Sequence, residues 1–239
     1  MTRKKIMDED PAWLEYRARF ANIYDASNYG SPLQSAVMRA SHRLAEKYFH
    51  KRDYFEKVLE IGAGTGEHVS FVRHNFDQYF LTDLDVKTLE VAKGKLSDKY
   101  SNKLLYEIQS GEELSYADNS FDRLIATHVL EHINRPDLAL KEWQRVVKNG
   151  GILSILIPTD PGIAWRLGRH FGPRKIALAQ GIAYDYVMAR EHVNSCNNLI
   201  ALLRHYFPER SEAWWPFPIP SMDLNLFFVC HVVVRKSES

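Results

Sequence analysis

Between residues 56 and 158, short apolar runs alternate with stretches of helical period. Lys57–Ile61, Tyr79–Thr82, Leu104–Gln109, Arg123–Thr127 and Ile152–Ile157 have strand length. Between them, His68–Asn75 and Val86–Lys95 read as helices, the second through Leu89, Val91, Ala92 and Leu96. Leu138–Val147 reads as an amphipathic helix on Leu138, Leu140, Trp143, Val146 and Val147, with Gly150-Gly151 as its end and Pro158 as the stop of the next strand. Strands in strict alternation with helices predict βαβ units and a parallel sheet, whose ligands sit at the carboxyl ends of the strands. Upstream, residues 1–55 read as mostly helical. Leu14, Tyr16, Phe20 and Ile23 form one apolar set and Val37, Leu44, Ala45, Tyr48 and Phe49 another, on either side of the turn-rich Tyr24–Gly30. Downstream, residues 160–195 break the rhythm and read as an inserted lid. A helix over Leu199–Tyr206 and a hairpin of Trp214–Pro220 with Leu224–Arg235 follow.

Composition narrows this picture. The 239 residues suit one α/β domain, and 45% hydrophobic residues supply its core. Lys plus Arg is 31 against 30 for Asp plus Glu, so no overall charge favours a nucleic acid as partner. Cys196 and Cys230 have neither metal nor redox spacing and are expected as reduced thiols. No signal-peptide stretch follows the basic N-terminus, and no run approaches the roughly 18 apolar residues of a membrane span. The expectation is a cytoplasmic protein without membrane insertion, as monomer or homodimer.

The chemistry begins after the first strand, at Glu60-Ile61-Gly62-Ala63-Gly64-Thr65-Gly66-Glu67. Glycine at every second position allows a tight turn and close approach of a ligand to backbone amides. A nicotinamide site would show Gly-x-Gly-x-x-Gly; here the third glycine comes one residue early and Glu67 takes its place, which disfavours a pyrophosphate. Asp83 ends the second strand, 19 residues beyond Gly64. A carboxylate there can accept both hydroxyls of a ribose, each such charged hydrogen bond contributing about 1.5–3 kcal/mol. Asp85, two residues on, reads as a cap for the following helix.

These residues resemble the class I S-adenosylmethionine-dependent methyltransferases, whose first motif is Glu-x-Gly-x-Gly-x-Gly. Three further blocks support the resemblance: Leu81-Thr82-Asp83-Leu84-Asp85, the run Gln109–Asp122, and Val147–Leu153, which together extend it over residues 55–158. It implies an α/β, Rossmann-like fold: a seven-stranded, mostly parallel sheet with helices on both faces and the last strand antiparallel. It divides the chain into a helical cap (1–55) over the cofactor site and a methyltransferase domain (56–239). It implies S-adenosyl-L-methionine as cofactor, with Glu60, Gly62, Ala63, Gly64 and Gly66 around its amino-acid end, Asp83 on the ribose and Leu84 beside the adenine. In many relatives an acid meets the adenine amino group; here that position is Ser110, so the contact falls to Ser110, Gly111 or Glu112. His128, just after the fourth strand, is the residue placed nearest the transferred methyl, with His132 as a second catalytic candidate.

The resemblance points to a small-molecule acceptor. The Asn/Asp-Pro-Pro-aromatic motif of DNA amino-methylating enzymes is replaced by Thr127-His128-Val129-Leu130. Within the insertion, Arg166, Arg169, Arg174 and Lys175 lie in a stretch without acids between Asp160 and Asp185. They read either as a clamp for a carboxylate, phosphate or phosphonate acceptor or as a solvated basic face. Tyr29, with Tyr24, is placed over the pocket or in simple packing. Glu191 and His192 read either as reaching the pocket or as capping the helix that follows, with the cap favoured, and no residues have metal-ligand spacing, so no metal is expected. Two rival classes stand beside the transferase: a nicotinamide-dependent oxidoreductase and a non-catalytic cofactor-binding partner protein.

Overall fold

A computed structural model describes residues 10–16, 32–96, 100 and 102–236. Tyr24 and Tyr29, and with them much of the expected cap, lie outside the described residues. The described elements are α1 (Pro32–Ala45), β1 (Tyr54–Ile61), β2 (Asn75–Asp83), α2 (Val86–Leu96), β3 (Leu104–Ile108), β4 (Phe121–Thr127), α3 (Pro136–Val146) and β5 (Val147–Pro158). After them come α4 (Ile163–Phe171), α5 (Pro173–Ala179), α6 (Tyr184–Glu191), α7 (Cys196–Tyr206), β6 (Arg210–Trp215) and β7 (Phe227–Val233).

The seven strands form one sheet in the order β3-β2-β1-β4-β5-β7-β6. Every pairing is parallel except those of β7, which runs antiparallel to β5 and β6. The sheet is the expected one. The alternation of side chains along each strand explains its two covered faces. Leu59, Ile61, Leu124, Ala126, Leu153, Ile155 and Phe228 point to one side, where α3 (Leu140, Trp143) and α7 (Leu199, Leu203) bury them. Val58, Tyr79, Leu81 and Ile125 point to the other, against Leu89 and Leu96 of α2. On that same side Leu156, Phe227 and Val229 pack on Leu44 and Ala45 of α1. Full burial of each large apolar side chain contributes about 1.5–3 kcal/mol, so a one-residue slip of a central strand is strongly excluded.

Two boundaries depart from the sequence reading. The helix expected over His68–Asn75 is a single 3-10 turn, His68–Phe71. Residues 72–74 lead straight into β2, because Asn75 already pairs with Tyr54 of β1. Gly150-Gly151 does not end α3: that helix stops at Val146, and Val147 pairs directly with Phe121. Gly150, at φ +82°, lies in β5 where its register against β4 shifts. The 160–195 segment folds as α4, α5 and α6. Cys196 and Cys230 are buried free thiols, and burial pushes each pKa up to about 12. Among the described residues no helix is long and apolar enough to cross a membrane.

Candidate active site

The order of β2, β1 and β4 sets the site. β1 lies between the other two, with Ile61 registered on Thr82 and on Ala126. The residues that follow, Gly62, Asp83 and Thr127-His128, therefore meet at one edge, where the connections diverge to opposite sides. Gly62 has φ +63°, and a Cβ there would lie 2.4 Å from Cγ2 of Val129. Gly66 has φ +77°, and its Cβ would lie 2.6 Å from Leu96 Cδ1. Both positions disfavour other residues by backbone conformation, and Gly62 also by the branched Val129 side chain it faces. The Ala63 amide donates to the Thr82 carbonyl at 2.9 Å, tying the loop to β2.

Asp83 closes the same turn. Its Oδ2 accepts from the Gly64 amide at 2.9 Å and its Oδ1 from the Asp85 amide at 2.9 Å. Burial raises its pKa, while those two amides favour the ionised form. Asp85 accepts from the Lys87 amide at 2.9 Å, so it caps α2 as expected. Leu84 is exposed beside it. The buried carboxyl of Glu60 accepts from the Tyr79 hydroxyl at 2.6 Å, and burial pushes its pKa up. Glu60, Gly62, Ala63, Thr65, His68, His42 and His128 line one narrow cleft. Near the end of β3, Ser110 Oγ accepts from the Glu112 amide at 3.2 Å. The Gly111 carbonyl accepts from Trp143 Nε1 at 2.8 Å, and the Glu112 carboxylate is turned to the Arg135 amide at 3.0 Å.

His128 stands at φ +59°, a conformation that non-glycine residues seldom adopt. Its Nε2 is 3.1 Å from Ser41 Oγ on α1. Ser41 donates its own hydrogen to the Met38 carbonyl at 2.7 Å, so the imidazole must be the donor to Ser41. The Nδ1 lone pair then faces the carboxyl of Glu131, 3.9 Å away. Burial, with His132, His192 and His68 nearby, holds the His128 pKa down at about 3. The ring is thus neutral at pH 7 and a weak base: it can orient an acceptor better than it can remove its proton.

His132 and His192 come together one step further out, their ring centroids 5.0 Å apart. His132 Nδ1 lies 2.9 Å from the Glu191 carbonyl and 3.2 Å from its carboxylate. His192 Nδ1 lies 2.8 Å from Asp160 Oδ2, and the Arg169 guanidinium donates to the same oxygen at 2.9 Å. The buried Glu131 sits between them, Oε1 3.8 Å from His132 Nε2. Glu131, His132 and His192 each bring one ligand-capable atom within 4.8 Å of the others. No sequence spacing announces this group: the fold brings the three donors together, at separations wider than those around a bound ion. The structure corrects the cap reading of Glu191-His192, because Ser195 occupies the N-cap position of α7. Two hydrogen bonds assemble the group. The Asn194 amide donates to the Glu131 carbonyl at 3.1 Å, and the Cys196 amide to the Asp160 carbonyl at 2.8 Å.

The four cations of the insertion do not converge. Arg169 turns to Asp160. Arg174 pairs with Asp185 at 2.8 Å on the surface. Lys175 lies over the Phe171 ring at 5.5 Å, and Arg166 is exposed. The two acids that bracket the basic stretch in sequence pair in space with two of its four cations, Arg169 and Arg174. Several site residues escaped sequence reading altogether: Asp160, and the buried set His42, Glu46, His68 and Arg123. The one available signal for the outer group was the repeated Glu-His dipeptide at Glu131-His132 and Glu191-His192.

Comparison with known proteins agrees with this geometry. Residues 59–155 match the family described as a methyltransferase domain. The ubiquinone/menaquinone biosynthesis C-methyltransferase UbiE of Shewanella frigidimarina is 35% identical over 109 residues, which cover 44% of this chain and 43% of that protein. The chain matches less than two thirds of the length of these curated relatives. In fold it is similar to the PH0226 protein of Pyrococcus horikoshii, with a TM-score of 0.61 at 14% identity over 91% of this chain and 99% of that one. It is also similar to the CurJ carbon methyltransferase, with a TM-score of 0.60 at 16% identity over 93% and 69%. The glycine loop, the acid at the end of β2 and the 3-2-1-4-5-7-6 sheet thus belong to one assembly, and residues 59–155 within it match a methyltransferase domain, as expected of a class I S-adenosylmethionine-dependent methyltransferase.

Proposed function

We propose that this protein transfers a methyl group from S-adenosylmethionine to a small-molecule acceptor bound beside His128. The observation that carries the reading is the junction of the Gly62–Gly66 loop with Asp83 at the switch point of the sheet. In this reading Glu60, Gly62, Ala63, Gly64 and Gly66 hold the amino-acid end of the cofactor. Asp83 accepts from the ribose hydroxyls, displacing its present bond to the Gly64 amide. Leu84 lies against the adenine, and Ser110, Gly111 or Glu112 meets its amino group. When bound, the cofactor supplies an electrophilic methyl on a sulfonium whose departure needs no acid. The protein's task is then to align the acceptor, for which orientation can contribute up to about 7–11 kcal/mol. His128 serves that alignment as a neutral ring.

The cap and lid follow the same reading. Ser41 and His42 of α1 reach His128 and His68, which supports a covering role for the N-terminal segment. The 160–195 segment is anchored to the Leu130–His132 turn through Asn194 and supports a lid on the acceptor side. The pairing of Arg169 and Arg174 with acids weighs against a four-cation clamp, so the acceptor need not be an anion. Incubation with methyl-labelled S-adenosylmethionine and a small-molecule extract tests the proposal. Label in an extractable small molecule supports it. Cofactor binding without turnover would instead favour the non-catalytic partner protein.

A further inference from the structure

The outer histidine group has features that methyl transfer by alignment alone does not require. Glu131 is 2% exposed, yet its Oε2 has no hydrogen-bond partner. A buried carboxylate oxygen left in this way costs about 1–3 kcal/mol or more, unless something binds it. Within 4.8 Å of the same carboxyl group stand two imidazoles, each held through Nδ1 by an oxygen acceptor: the Glu191 carbonyl for His132 and the Asp160 carboxylate for His192. In each neutral ring those bonds place the hydrogen on Nδ1 and leave Nε2 as the lone pair. Oxygen acceptors behind two histidines are the arrangement that orients imidazoles toward a metal. Arg169 in turn holds Asp160 in place.

We propose that Glu131, His132 and His192 form a binding site for a divalent first-row transition-metal ion, with Asp160 and Glu191 positioning the two histidines. Two nitrogens and one carboxylate favour zinc, manganese or iron(II) over magnesium or calcium, and leave coordination positions open. Metal–ligand bonds of about 2.0–2.2 Å require donor atoms roughly 3–3.5 Å apart. The present separations, up to 4.8 Å with one already at 3.8 Å, close by small side-chain movements. His132 is about one third exposed, so ions and an acceptor can reach the group. Its carboxylate is 3.9 Å from His128, which lines the cofactor cleft. The ion therefore stands between the cleft and the lid. There it would hold an acceptor through a hydroxyl or neighbouring oxygen pair, and lower the hydroxyl's pKa so that its proton passes to solvent. That acceptor role rests on the methyltransferase reading; the ion site itself does not.

The test titrates the chelator-stripped full-length chain with Co²⁺ and with Zn²⁺, without cofactor, following visible Co²⁺ bands and heats of binding. The expected result is one ion per chain, with binding weakened roughly 100-fold or more in His132→Ala and in His192→Ala. Asp160→Asn, which retains the ligands, should weaken it by about 10–100-fold. Exposed His205→Ala should leave it unchanged. Circular dichroism shows whether each variant is folded, and Asp160→Asn decides the matter if a histidine variant is not. Absence of binding at millimolar ion, or equal affinity in wild type and Asp160→Asn, overturns the proposal. Binding of S-adenosylhomocysteine to the stripped chain, measured separately, reports on the methyltransferase reading alone.

Discussion

Two groups of buried polar side chains flank His128, and they differ in how they are partnered. The inner one lies between α1 and the sheet. Arg123, fully buried in β4, donates to both oxygens of Glu46 at 2.6 and 3.2 Å and to Ser154 Oγ, with its guanidinium 3.6 Å from the Phe49 ring centre. His68 adds a bond to Glu46 at 3.2 Å and meets His42 at 3.0 Å. Burial alone would raise the Glu46 pKa, but Arg123 and His68 bring it well below the carboxylate range. The outer group uses the same residue types, yet leaves Oε2 of the buried Glu131 without a partner and brings a ring nitrogen of each histidine within 4.8 Å of that carboxyl group. Charges matched one to one anchor an element, here α1 on the sheet; charges held in place but unmatched make a site for something else.

The largest expected effect breaks the inner group. Arg123→Met should destabilise the fold by about 3–5 kcal/mol in urea unfolding, because it strands Glu46 in the interior. The double variant Arg123→Met/Glu46→Leu should recover much of that loss. A single variant as stable as wild type would show that the pair is not an anchor. Gly62→Ala should cost about 1–2 kcal/mol from backbone conformation alone, with the Val129 contact added. It should also abolish S-adenosylhomocysteine binding, read by calorimetry.

Acid sharpens the comparison through one histidine. Burial, with Arg123 nearby, holds the His231 pKa at about 4, against about 6.5 in the unfolded chain. The unfolded state therefore binds the proton first. The group's contribution to stability is complete above about pH 6.5 and is lost as pH falls toward 4. His231→Gln should consequently show a flatter stability curve than wild type between these values; parallel curves would contradict the assignment. The smallest effect is expected at the surface. Arg174→Ala, which removes an exposed pair, should leave the melting temperature and the acceptor's KM within error. A raised KM would restore that arginine to the acceptor site.

What was legible in the sequence is what neighbouring residues determine together. Alternation announced the strands, and the glycines at 62, 64 and 66, all with positive φ, announced the loop they alone can form. Asp83 and Asp85 were separable because one ends a strand and the other starts a helix. The metal-like group was not legible, since His132 and His192 meet through tertiary bonds of Glu191, Asn194 and Cys196 that no period encodes. Arg123 read as the start of an ordinary strand because its partner, Glu46, is 77 residues away. The basic insertion looks unbalanced in sequence because Asp160 and Asp185 stand at its limits, whereas in space they pair with Arg169 and Arg174.

The most direct test of the account is the affinity of S-adenosylhomocysteine for wild type and for Asp83→Ala, by calorimetry at one salt concentration. Loss of the charged hydrogen bonds to the ribose, about 1.5–3 kcal/mol each, predicts binding weakened by at least roughly 10–100-fold in a variant that remains folded. Equal affinity in the two proteins would contradict the placement of the cofactor across the Gly62–Gly66 loop and the end of β2.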